Sequence, residues 1–129
     1  MDKYADTFKL ADILYTMGDY LEEANHNNDA VNVMMLAAKI YEGILPRTSQ
    51  VNRKIDQVKR RMSFFYLKMS KHEKALTILK EVEDMQKTLY GTKSEQLAKT
   101  WKVIGNIYIL KKQYNEAREL FTKAHEIFK

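Results

Sequence analysis

With 129 residues, 45% hydrophobic and 30% charged, the chain has the composition of one ordinary globular domain, too short for two independent cores. It contains no cysteine, which excludes disulfides, thiolate zinc sites and cysteine nucleophiles, and no apolar run reaches the ~18 residues that a membrane-spanning helix requires. The net charge of +5 is unevenly spread: residues 1–46 carry three lysines against eight acids, or −5, and residues 47–129 carry nineteen basic against nine acidic residues, or +10.

Taken in chain order, the periodicity predicts six helices, near 4–24, 29–45, 49–70, 72–89, 94–112 and 114–128, and no strand. The first carries Leu14, Met17, Gly18 and Leu21 on one face. Asn27-Asn28-Asp29 supplies turn and N-cap chemistry before the second, which presents Ala30, Met34 and Ala37 and is closed by Pro46, since proline cannot continue a helix. The third presents Met62, Ser63 and Tyr66, and the fourth Ala75, Leu79 and Val82. Gly91-Thr92-Lys93-Ser94 breaks the chain, with Ser94 as a helix cap. The fifth helix carries Trp101, Ile104, Gly105 and Tyr108; after a turn at Lys111-Lys112-Gln113-Tyr114-Asn115, the sixth carries Ala117, Phe121 and Ala124.

These stripes are one pattern repeated. Ala117, Ala75 and Ala30 are separated by 42 and 45 residues, and each is preceded by an apolar, small, aromatic-or-apolar series at the same offsets. The small residues let two antiparallel helices approach at their crossing while the large ones fill the volume around it. The second repeat is the loosest, because Lys59 stands where Trp101 and Leu14 stand in the others. A lysine stem can still cover apolar surface there.

The series Trp101, Ile104, Gly105, Tyr108, Ala117, Phe121 resembles the W-x2-L-G-x2-Y…A-x3-F pattern of the tetratricopeptide repeat (TPR). The long spacing, and the segment Leu89-Tyr90-Gly91-Thr92-Lys93-Ser94-Glu95-Gln96-Leu97-Ala98, resemble the kinesin-light-chain type, although the His-Pro often found in that linker is absent. The extra length is expected between one second helix and the next first helix. The resemblance implies an all-α fold of three stacked antiparallel hairpins in a short right-handed solenoid, forming a single domain over 1–129 with repeats near 10–46, 54–90 and 96–129.

It also implies a non-catalytic protein-interaction module whose first helices line a concave groove. Carried over residue by residue, the groove receives Asp12, Tyr15 and Asp19, with Glu22 or Glu23, from the first repeat. The second gives Gln57, Arg60, Phe64, Leu67 and Lys68, and the third Lys99, Lys102, Asn106, Ile109 and Leu110. Lys102 and Asn106 lie one turn apart, and that spacing resembles half of the carboxylate clamp of some TPR domains; Tyr15 and Asp19 stand where the other half would be. The pair reads equally as a solvated helix face. Lys59-Arg60-Arg61, with Arg53, Lys54 and Lys68, is either a solvated basic face or a surface that attracts an acidic peptide.

The expected partner is therefore a protein or peptide with an acidic or amphipathic segment, its negative part against repeats two and three, where Asp12 and Asp19 repel anions at the other end. No cofactor or metal is expected, because His26, His72 and His125 lie far apart outside ligand spacings, and no membrane contact. The absence of a basic region followed by an apolar block at Met1-Asp2-Lys3-Tyr4-Ala5-Asp6 makes a cytoplasmic location the default. No set of nucleophile, base and orienting residue is apparent. Two alternatives stand beside peptide binding: an architectural segment of a longer array working through its outer faces, and nonspecific nucleic-acid binding by the basic half, which lacks any base-reading motif. Leu120 and Ile127 fall on a different arc of the last helix from Ala117, Phe121, Ala124 and Phe128, so that end is expected to be uncapped and available for self-association.

Overall fold

A computed structural model describes residues 4–128, and among them there are six helices and no strand: α1 (Ala5–Glu23), α2 (Asn27–Glu42), α3 (Ser49–Lys68), α4 (His72–Tyr90), α5 (Glu95–Leu110) and α6 (Tyr114–Phe128). This is an all-α helical repeat fold. The chain separates into two compact units, residues 1–75 and 76–129. In the first, α1 packs on α2 and α2 on α3; in the second, α5 packs on α6.

The helix ends follow from local chemistry. Thr48 and Ser94 cap α3 and α5, their hydroxyls accepting from the Val51 and Leu97 N–H groups at 3.3 and 3.2 Å, which satisfies one of the donors that a helix start leaves open. The expected cap at Asn27-Asn28-Asp29 does not form. Asn27 is already helical, and His26 occupies the cap position without a side-chain bond.

The first helix of every hairpin ends the same way. Asn25, Ser70 and Lys112 adopt φ of 65°, 59° and 63°. The following N–H groups of His26, Lys71 and Gln113 reach back to the carbonyls of Leu21, Tyr66 and Tyr108 at 2.8, 2.9 and 2.8 Å. These are Schellman closures built without glycine, and they recur at the 45- and 42-residue spacing of the apolar stripes.

The extra repeat length lies in the helices more than in the connection after α4. α3 runs 20 residues and α4 19, against 16 and 15 for α5 and α6, and Gly91, at φ 86°, opens a link of only residues 91–94.

The small residues sit where close approach requires them. A Cβ on Gly18 would lie 2.8 Å from Met34 Cε, and one on Gly105 would lie 2.9 Å from Phe121 Cε2. Ser63, the equivalent in α3, is buried, and its hydroxyl donates to the Arg60 carbonyl at 2.6 Å.

Expectations about the packing faces fail as well. Met17 is exposed, whereas its equivalents Met62 and Ile104 are core. Leu120 and Ile127 are partly buried against the cluster of Leu97, Ala98, Trp101 and Ala124, while Phe128 is exposed. The outward positions of α6 are instead Arg118, Thr122 and His125, all exposed and polar, so the apolar end expected for self-association at the C-terminal helix does not exist in that form.

Candidate functional site

In the first unit the groove candidates line a seam between α1 and α3. Lys54 Nζ lies 3.5 Å from Asp12 Oδ1, Arg61 donates to Asp19 Oδ1 through Nε and Nη2 at 3.0 and 2.7 Å, and the Lys68 ammonium donates to Glu22. Both members of each pair advance along their helices together, so α1 and α3 run parallel. Asp12 also accepts from the Tyr41 hydroxyl of α2, so one carboxylate ties three helices together. The Phe8 and Tyr41 rings meet edge to face beside it, 5.4 Å between centroids.

Burial, the hydrogen bond to Asp12 and the negative charge of that carboxylate all push the Tyr41 hydroxyl pKa well above its ordinary 10.0. Tyr15 is raised as well, by burial first and then by Asp19, against opposing contributions that include a hydrogen bond with Gln57. Gln57 is exposed beside it.

The ion pairs change the expected electrostatics. The acidic first helix is neutralised by the basic third, so Asp12 and Asp19 are not a bare anion-repelling end, and Lys68 is not a free ammonium. Arg60 reaches back to the buried Asp56, Nε to Oδ2 at 3.2 Å, with its own side chain 46% exposed. The seam leaves Phe64, 44% exposed, with the Arg61 guanidinium 5.2 Å and the Lys68 ammonium 5.7 Å from its ring centre. Arg61 and Lys54 are the residues that reading the groove by position missed as partners. The signal was present in the 42-residue offset that sets Asp12 against Lys54 and Asp19 against Arg61.

In the second unit, Lys99, Lys102 and Asn106 lie exposed on α5, and Lys102 Nζ sits 5.4 Å from the centre of the exposed Phe128 ring. The opposite arc of α5 is fixed by one buried and one part-buried hydrogen bond. The Thr100 hydroxyl donates to Gln86 Oε1 at 2.6 Å, and Trp101 Nε1–H donates to Glu83 Oε2 at 2.6 Å with Lys123 over the indole at 5.6 Å. A surface cavity of about 400 Å³ opens beside this network, floored by Ile104, Tyr108 and Leu120 and edged by Glu116 and Glu119. Among the described residues no group of three or more His, Cys, Asp or Glu side chains is placed to hold a metal ion, and no helix is long and apolar enough to cross a membrane.

A family model described as tetratricopeptide repeat matches residues 55–129. The chain belongs to the tetratricopeptide repeat family. The repeat is a non-catalytic module, and its membership gives the chain a role in protein–protein interaction or scaffolding. The fold is similar to the crystal structure of BtubC (BKLC) from P. vanneervenii, with a TM-score of 0.76 at 11% identity over 95% of this chain and 47% of that one. The chain thus spans about half the length of that TPR neighbour. The MamA RS-1 ArsTM double mutant aligns over 91% of this chain and 74% of its own at 18% identity, with a TM-score of 0.47. None of the curated proteins matches the sequence.

Proposed function

We propose that this TPR chain binds an amphipathic, carboxylate-bearing peptide segment along the exposed faces of its first helices. The observation that carries the reading is the pairing of an exposed phenylalanine with cations on its ring: Phe64 under Arg61 and Lys68, and Phe128 under Lys102. A ring held open to solvent offers an apolar anchor, and the cation beside it offers a partner for a carboxylate on the same ligand. Lys99, Lys102 and Asn106 supply ammonium groups and a side-chain amide able to bind carboxylates and peptide units. In the first unit, Gln57 and Arg60 lie exposed on α3 and offer an amide and a guanidinium of their own.

In unit one the seam carboxylates Asp19 and Glu22 already occupy Arg61 and Lys68. An acidic ligand there exchanges one ion pair for another and gains most of its affinity from Phe64, so apolar content matters as much as charge. The test is an array of synthetic peptides in which acidic residues and leucine or phenylalanine are varied independently, probed with wild type, Phe64→Ser and Lys102→Glu. The reading requires that peptides with both features bind best, that Phe64→Ser weakens them and that Lys102→Glu reduces the acidic preference. Equal binding of acidic and lysine-substituted peptides would defeat it.

A further inference from the structure

The first helix carries an apolar stripe with no helix over it among the described residues. Leu10, Ile13, Met17 and Tyr20 are 49, 55, 48 and 71% exposed. Their equivalents 45 residues on, Ile55, Val58, Met62 and Phe65 of α3, are 1, 1, 6 and 0% exposed in a helix that packs on α2. Their equivalents on α5, Leu97, Thr100, Ile104 and Ile107, are buried too. The stripe is thus a core-type surface left open, large apolar side chains at successive intervals of three, four and three residues along one helix.

We propose that α1 pairs with α1 of a second copy of the chain, antiparallel about a two-fold axis, through these four residues. The spacing is that of alternating a and d positions of a heptad, the pattern by which two helices interlock. In an antiparallel pair centred between residues 13 and 17, Leu10 lies opposite Tyr20 of the partner subunit and Ile13 opposite Met17 of the partner subunit. Each tyrosine then lies at a rim where its hydroxyl stays in water.

Charge selects the same arrangement. The positions flanking the stripe on one side are Lys9, Thr16 and Glu23, seven residues apart and all exposed. Antiparallel pairing sets Lys9 against Glu23 of the partner subunit at both ends and Thr16 against Thr16 of the partner subunit at the axis. Parallel pairing would place these positions on opposite sides of the seam and leave Lys9 and Glu23 without each other. Head-to-tail stacking under a copy's α6 is disfavoured by that helix's outward Arg118, Thr122 and His125, which stand where α2 has Val31, Met35 and Ala38. The contact is therefore isologous and closes as a dimer. It is independent of the peptide-binding reading, since it uses a different arc of α1 from Asp12, Tyr15 and Asp19.

The chain has no native cysteine, so engineered thiols report the geometry directly. Thr16 is exposed and its side chain makes only a local bond to the Asp12 carbonyl at 3.2 Å. Under mild oxidation the Thr16→Cys variant should form a covalent dimer at least tenfold faster than Lys9→Cys does with itself, and Lys9→Cys mixed with Glu23→Cys should cross-link as a heterodimer. Sedimentation of wild type over a wide concentration range should show a monomer–dimer equilibrium that Met17→Glu shifts at least tenfold toward monomer, with unchanged helical circular dichroism. Lys9→Glu should weaken the dimer, and adding Glu23→Lys should restore it. Wild type that stays monomeric, a dimer that survives Met17→Glu, or self-linking of Lys9→Cys as fast as Thr16→Cys would each overturn the proposal.

Discussion

Gly105→Ala is the smallest change that tests whether close helix approach holds the last hairpin together. The added Cβ would lie 2.9, 3.0 and 3.3 Å from Cε2, Cζ and Cδ2 of Phe121, where carbon atoms prefer about 3.5–4.0 Å. The ring cannot fold out of the way, so it must retreat by roughly half an ångström or more and loosen α6. Overpacking of this kind costs about 1–3 kcal/mol, while alanine gains about 1 kcal/mol over glycine inside a helix. The net expectation is a loss of about 1 kcal/mol. Gly18→Ala is the internal control. Its Cβ meets the Met34 side chain, 2.8 Å to Cε, and a thioether with three rotatable bonds can re-seat, so the helix gain offsets more of the cost and the variant should lie within about 1 kcal/mol of wild type. Trp101 is the only tryptophan and shares α5 with Gly105, so urea unfolding followed by its fluorescence reads the affected unit. Phe121→Leu should cost less in the Gly105→Ala background than alone, because the smaller side chain vacates the contested space. A Gly105→Ala protein as stable as wild type, or strict additivity with Phe121→Leu, would refute the reasoning.

Lys112→Gly and Ser70→Gly should each stabilise the protein by about 0.5–1 kcal/mol, because an L-residue held at positive φ costs about 1–2 kcal/mol and glycine recovers most of that after its own entropy loss; thermal melts that fall instead of rising would show that these side chains contribute more than their backbone strain. Lys68→Met strips the buried Glu22 carboxylate of its partner and should cost about 1–3 kcal/mol, whereas Glu22→Gln/Lys68→Met should cost less than the single change, as denaturant midpoints will report. The raised hydroxyl pKa values of Tyr41 and Tyr15 mean that the fold holds protons the unfolded chain releases near pH 10, so their contribution is complete below pH 10 and is lost as the pH climbs above it. The readout is the difference in alkaline unfolding: Tyr41→Phe should show a shallower decline above pH 10 than wild type.

What the sequence made legible, and what it hid, divides along a physical line. Alanines 30, 75 and 117 and glycines 18 and 105 mark the hairpins because steric exclusion at a helix crossing leaves few residue types, and a constraint that narrow leaves its mark on the chain. Ser94 was legible as a cap because few residue types place a side-chain acceptor within reach of an open N–H at a helix start. The left-handed closures at Asn25, Ser70 and Lys112 were not, although a turn was read at Lys112, because a left-handed residue that is not glycine carries little compositional mark and their common spacing is what identifies them. The ion pairs of α1 with α3 could not be read from either helix alone. Lys68 and Asp19 looked like groove charges because each was judged by its own helix, and pairing depends on which helix lies alongside. The apolar stripe of α1 is the clearest case. Leu10, Ile55 and Leu97 occupy one register position with similar side chains, yet Leu10 is exposed and the other two are core. Nothing in Leu10 itself differs; the neighbouring helix does. Burial at a repeat position therefore belongs to the pair of elements, and α1 must either tolerate its open face or find a partner for it.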